Sequence, residues 1–153
     1  MEFLSLPTKP KEWTLELLEQ LIKYVDIESE TFDFKKEPNK LYEDICAIAN
    51  TKGGFLVLGI SEKRSKDKKR IIGFHKVGFK DGKQDNIRNE IGNNVVNVEP
   101  QPLVDIEHLK DEKTKRFFTV IRIDGKTTEK PYFVKGTDQC FVQIGRASCR
   151  ERV

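Results

Sequence analysis

The densest run of reactive side chains in this sequence is Lys63-Arg64-Ser65-Lys66-Asp67-Lys68-Lys69-Arg70, where six cations stand against one carboxylate. Lysine and arginine crowded onto one short protrusion attract phosphate oxygens, with an affinity that is salt-sensitive and indifferent to base sequence. Such a turn positions a nucleic acid without specifying it. A solvated hairpin tip has the same composition, so both readings stand. A second stretch, Asn50-Thr51-Lys52-Gly53-Gly54, combines hydrogen-bonding side chains, a cation and paired glycines. Asn50 and Thr51 at a helix end can bond its loose carbonyls, while Gly53 and Gly54 permit positive φ and a close approach of backbone to whatever lies opposite. A phosphate, with Lys52 beside it, and a neighbouring strand both fit that approach.

Other chemistries are excluded by what is missing. Cys46, Cys140 and Cys149 form no CxxC pair, and the two histidines, His75 and His108, are far apart. Neither a disulfide framework nor a Cys/His zinc site is therefore expected. Cys46 falls on the apolar side of a predicted helix and reads as a small buried thiol. No GxxxxGK[ST] loop occurs, which removes a P-loop ATPase. No apolar run approaches the roughly 18 residues of a membrane span. Met1-Glu2-Phe3-Leu4 also lacks the basic flank and apolar stretch of a secretion signal. A cytoplasmic protein with no membrane partner is expected.

These groups need a scaffold, and 153 residues at 37% hydrophobic suffice for one ordinary core. Trp13, Leu17, Leu18, Leu21 and Val25 recur at helical spacing, as do Leu41, Ile45, Ile48 and Ala49 in a helix over 40–51 that Gly53 is placed to stop. A third helix fits 84–93, with Ile87, Ile91 and Val95 four apart. Thr31 to Lys35 alternates as a strand does. Phe55 to Ile60 is an apolar run of strand length, which suggests a central strand covered on both faces. Glu62 to Arg70 reads as a charged turn with Ile71 to Phe74 returning from it. Leu103 to His108, Phe117 to Ile123, Pro131 to Val134 and Cys140 to Val142 read as further strands, with 110–115 as a hairpin tip. The pattern is α+β: a mixed sheet with about three packed helices.

Three stretches carry a resemblance. The first is Glu28-Ser29-Glu30-Thr31-Phe32-Asp33-Phe34-Lys35. The second is Ile45 to Ile60, a helix followed by Asn50-Thr51, the double glycine and the apolar strand. The third comprises Ile72-Gly73, Lys130-Pro131-Tyr132 and Phe141-Val142. In this order and spacing they resemble the Schlafen AlbA-type domain of bacterial regulators, to which DNA binding is ascribed, and of the vertebrate Schlafens. The likeness runs over roughly residues 15–143. It implies an intracellular module that binds nucleic acid, DNA or RNA, as part of a longer regulator such as a transcriptional regulator. Two residues depart from the family pattern: Asp33 stands where a glutamate is usual, and Gln143 where an arginine often precedes the closing glycine.

The resemblance also implies a carboxylate site. In the vertebrate Schlafens this fold carries an endoribonuclease centre of three acidic residues that hold metal. By motif position the first two fall on Glu28 and Asp33, and Glu62 is the nearest candidate for the third. Grouped carboxylates can hold magnesium or manganese, which would activate a water or stabilise a leaving oxygen in phosphodiester cleavage. Lys35 would then hold the scissile phosphate; otherwise it pairs with Glu30 or Glu37 at the surface. Asp33 is one methylene shorter than the glutamate such a site is built around.

The last ten residues, Ile144 to Val153, match the translation of a common sequencing adapter. They are expected to be a non-native tail, leaving residues 1–143 as the domain. Arg146, Arg150 and Arg152 against Glu151 supply two of the three net positive charges, so overall basicity carries no argument for nucleic acid. The expectation is a domain that binds nucleic acid through phosphates and needs no cofactor. A metal-dependent ribonuclease is the second reading, and a protein-interaction module whose glycine turn and strand edges form a homodimer is the third.

Overall fold

A computed structural model of the chain describes residues 9–23, 32–125, 131–136, 141–144 and 148–152. After a 3-10 turn at Pro10–Glu12 comes helix α1 (Leu15–Lys23), which buries Leu18 and Leu21. Val25 of the predicted stripe lies outside the described residues. Strand β1 (Phe32–Lys35) leads to helix α2 (Leu41–Ala49), which is buried at seven of its nine positions. Strand β2 (Gly53–Leu58) is buried throughout. Its apolar run forms the interior of the sheet, parallel to β1 on one side and antiparallel to β8 (Arg116–Asp124) on the other.

The run predicted as one strand is broken at Gly59, and this corrects the expected hairpin. Gly59 has φ +100°, and a Cβ there would lie 3.0 Å from the Phe118 ring and 3.1 Å from the Cα of Gly78. The chain turns out of the sheet at that point. It continues as β3 (Ile60–Arg64), which pairs with β4 (Ile71–Lys76) in a separate two-stranded ladder. Glu62 to Arg64 are therefore strand residues, and the turn is confined to 65–70.

Strand β5 (Phe79–Lys80) follows, then helix α3 (Gln84–Val95) with Ile87, Ile91 and Val95 buried, then the short β6 (Val98–Glu99). Strand β7 (Val104–Asp111) runs antiparallel to β8 along its whole length. Strand β5 pairs with the start of β8 at Phe117 and Arg116, beyond the point where β2 ends at Thr119. The small β9 (Phe133–Val134) pairs with β6, and β10 (Phe141–Ile144) pairs with β11 (Ser148–Arg152).

The five-stranded mixed sheet divides the core in two. Leu56, Leu58, Phe117, Ile121 and Ile123 face α2 and α3 on one side. Phe55, Val57, Phe118 and Val120 meet Phe32, Phe34, Trp13 and α1 on the other. A strand whose alternate residues enter two separate apolar layers must be apolar at every position, which is why β2 was legible as an unbroken run. Among the described residues the fold is α+β, three α-helices and a mixed sheet. Among the described residues no helix is long and apolar enough to cross a membrane.

Candidate nucleic-acid interface

The cationic stretch caps the β3–β4 hairpin, and its loop is ordered from within. The Ser65 backbone N–H donates to the Arg70 carbonyl at 2.9 Å, and the Lys68 N–H to the Ser65 carbonyl at 2.8 Å. The Asp67 carboxylate accepts from the Ser65 hydroxyl and, at 3.0 Å, from the Lys69 N–H. These bonds hold its pKa below the ordinary aspartate value, the serine contributing most. The one carboxylate of the loop thus organises the turn. Lys63, Arg64, Lys66, Lys68, Lys69 and Arg70 are all exposed. At the base, Phe74 meets Phe34 edge-on with ring centroids 4.8 Å apart, and Lys76 Nζ pairs with Glu19 Oε1 of α1 at 2.8 Å. The ladder is thereby anchored to the domain.

Beside that base lies a carboxylate in an unusual environment. Asp33, on β1, turns away from the Phe32 and Phe34 layer toward α2 and is only 3% exposed. Its Oδ1 accepts from the Phe34 N–H at 2.9 Å, and its Oδ2 is buried with no hydrogen-bond donor. Burial pushes the Asp33 carboxyl up to about 7; Lys35 pulls against this, whereas Asp44 and, more weakly, Glu62 add to it. The Lys35 amine lies between two carboxylates, 3.8 Å from Asp33 Oδ2 and 3.4 Å from Asp44 Oδ1. Glu37, the surface partner considered for Lys35, instead accepts from the Asn39 amide at 3.2 Å.

Asp44 is a member of this cluster that sequence reasoning missed. The signal was present: Asp44 is three residues after Leu41 and four before Ile48, so it sits inside the apolar stripe of α2, where an acid requires a partner.

The other carboxylates are distributed differently. Glu62 is on β3 and pairs with Arg64 at 2.6 Å. Glu28 and Glu30 lie outside the described residues. Among the described residues no three histidine, cysteine or acidic side chains come together to hold a metal ion. The donors that are described do not fit a dication. An ammonium already lies between Asp33 and Asp44, Glu62 is engaged by a guanidinium, and burial raises the Asp33 carboxyl to about 7.

The Asn50–Gly54 turn is committed to the fold. The Asn50 side chain bonds both backbone groups of Tyr132, donating from Nδ2 to its carbonyl at 3.1 Å and accepting its N–H at Oδ1 at 2.7 Å. Cys46, buried as a thiol, donates to the same carbonyl at 3.2 Å. The Thr51 hydroxyl donates to the Ile48 carbonyl at 2.6 Å and accepts the Gly53 N–H at 3.2 Å. Gly53 has φ +94°, and a Cβ there would stand 2.7 Å from the Ile123 carbonyl oxygen. Gly54 is a β2 residue paired with Ile123. The partner opposite the glycines is therefore the end of β8.

Lys52 is exposed in this turn, at the start of β2. The hairpin leaves from the far end of that strand, about 20 Å away at 3.3 Å per residue. Lys35 is at the hairpin end, its carbonyl accepting the Gly59 N–H at 2.8 Å. The structure groups Asp33, Lys35, Asp44 and the hairpin, and separates Lys52 from them. Of the aromatics that could stack on a base, Tyr132 is fully buried, and Phe74 and Phe79 are half-buried against Phe34 and Phe117.

The sequence profile of the Schlafen AlbA_2 domain matches residues 28–150. The chain belongs to the Schlafen AlbA_2 family. Its match takes in the β1 motif, the Asn50–Gly54 turn and the cationic hairpin. No curated protein matches the chain. Among solved structures, this Schlafen AlbA_2 domain is similar to the N-terminal domain of a RecG-related protein from Nitrosomonas europaea, at TM-score 0.63 and 19% identity, with 90% of each chain covered. That likeness is one of fold.

Proposed function

We propose that this Schlafen AlbA_2 domain binds nucleic acid through its phosphates, with the tip of the β3–β4 hairpin as the principal contact. One observation carries the reading: six cations are exposed along the end of β3 and the 65–70 loop, and the loop's single carboxylate bonds within the loop and holds it together. A preformed loop loses little conformational freedom when phosphates bind, so its charges act together. Family membership supports the same direction. So does the RecG-related neighbour, which bears the name of an ATP-dependent DNA helicase. Lys35 and Lys52 belong to the wider set of candidate contacts, Lys35 at the hairpin base and Lys52 remote from it.

The test is titration of labelled DNA and tRNA with the full chain across a salt series, with and without manganese, following mobility and cleavage on the same samples. Binding that weakens steeply with salt, without cleavage, is expected. Binding independent of salt would contradict the proposal. A second reading, hydrolysis of RNA by a metal ion held on Glu28, Asp33 and Glu62, has against it the ammonium beside Asp33 and the guanidinium on Glu62. Manganese-dependent cleavage that disappears in Asp33→Ala would establish it in place of the first.

A further inference from the structure

Phosphate contacts account for the cations of the hairpin but not for Ile72. Lys63 pairs with Gly73 and Arg64 with Ile71, so Ile72 is the extra residue of a β-bulge. A bulge re-aims a side chain out of the regular ladder. Ile72 is 50% exposed, belongs to neither core layer, and has Lys63, Arg64 and Arg70 as its neighbours along the two strands. A branched aliphatic group at that point adds nothing to phosphate attraction and stabilises no core.

We infer that the hairpin enters the minor groove of duplex DNA, with its cations on the flanking phosphates and Ile72 wedged into a base step. This rests on the phosphate-binding function proposed above and names the form of nucleic acid that the same site takes. Single strands are held by stacking bases on exposed aromatic rings. Among the described residues the large exposed hydrophobics are Ile72, Val96 and Leu103, none of them aromatic. An aliphatic wedge flanked by cations suits a stacked duplex, where apolar side chains partly unstack one step. A two-stranded ribbon is wider than the undistorted minor groove, about 6 Å across. Insertion kinks the duplex toward the major groove and opens the minor groove, so wedge and ribbon require one another. A-form RNA offers a shallow minor groove and a major groove too narrow for the ribbon.

The full chain is titrated into a short DNA duplex with a central TpA step, which kinks readily. It carries 2-aminopurine beside that step and a dye pair at its ends. Single-stranded DNA of the same sequence and the matching RNA duplex are run in parallel. Wild type is expected to raise the 2-aminopurine emission and shorten the end-to-end distance on duplex DNA. Ile72→Ser is expected to abolish both signals, weaken binding about fivefold and leave the salt dependence unchanged; Ile72→Leu retains both signals. The wedge is overturned if wild type binds duplex DNA with neither signal, if Ile72→Ser bends it as wild type does, or if RNA duplex or single-stranded DNA binds as tightly. Salt-independent binding, or none, to all three would instead remove the phosphate-binding function and the wedge with it.

Discussion

The Asn50–Gly54 turn and the Lys63–Arg70 hairpin are both short, polar and rich in groups that could meet a phosphate, yet they face opposite ways. In the turn, Asn50 and Thr51 bond the protein and only Lys52 is exposed: Asn50 holds Tyr132, Thr51 holds Ile48, and Gly53 makes room for β8. In the hairpin, internal bonding is done by Ser65, Asp67, the backbone and the Arg64–Glu62 pair, and Lys63, Lys66, Lys68, Lys69 and Arg70 are left exposed. The difference teaches that polar groups of the same kind can be spent on the fold in one turn and left accessible in another. Substitutions in the turn should therefore cost stability and spare binding, and substitutions in the hairpin should do the reverse.

The largest expected effect on stability is at Gly125, where β8 passes the turn. A Cβ there would stand 2.3 Å from both the Gly53 nitrogen and the Thr51 carbonyl oxygen. Gly125→Ala should lower the unfolding free energy by about 4 kcal/mol or more, measured from urea midpoints. A change below about 1 kcal/mol would mean that the turn is less tightly clamped than its geometry implies. Next is Asn50→Ala, which strips the N–H and carbonyl of the fully buried Tyr132 of an amide that bonds both, with an expected loss of about 3 kcal/mol. The salt dependence of nucleic-acid binding should be untouched in the folded fraction.

Asp33 lies between the two regions and gives an intermediate effect. Its folded pKa of about 7 is raised above the ordinary 3.8, so the folded state binds the proton more tightly than the unfolded chain does. Its contribution to stability is greatest below the ordinary value and is lost as pH rises through 7. Asp33→Asn removes that titration, so the variant should gain about 2 kcal/mol on wild type between pH 5 and pH 8. Thermal midpoints at the two pH values read this directly. A difference that does not change with pH would show that the carboxylate keeps its charge in the fold.

How much of this was legible in the sequence follows from what each segment must satisfy locally. The unbroken apolar run at 55–58 announced a strand buried on two faces, and the four-residue spacing of Ile87, Ile91 and Val95 announced α3. The exit at Gly59 was not legible. A glycine at the end of a strand looks like any strand end, and the positive φ is imposed by Phe118 and Gly78, distant in sequence. The same limit applied to the buried cluster. Asp33 and Lys35 were visible through their motif, but Asp44 joins them only because α2 packs over β1. Lys52 illustrates the converse: it carries the same charge as the hairpin cations, and the length of β2 sets it apart from them.

The smallest expected effect on stability belongs to the hairpin tip, and it coincides with the largest on binding. Replacing Lys68, Lys69 and Arg70 together by alanine should change stability by less than about 0.5 kcal/mol, since all three are exposed. The decisive measurement is the slope of log affinity against log salt for duplex DNA, compared between this triple variant, Asn50→Ala and wild type. The account predicts that the triple variant's slope is shallower by roughly 0.9 for each phosphate it no longer neutralises, while Asn50→Ala keeps the wild-type slope. An unchanged slope in the triple variant, with binding intact, would contradict the assignment of the interface to the hairpin.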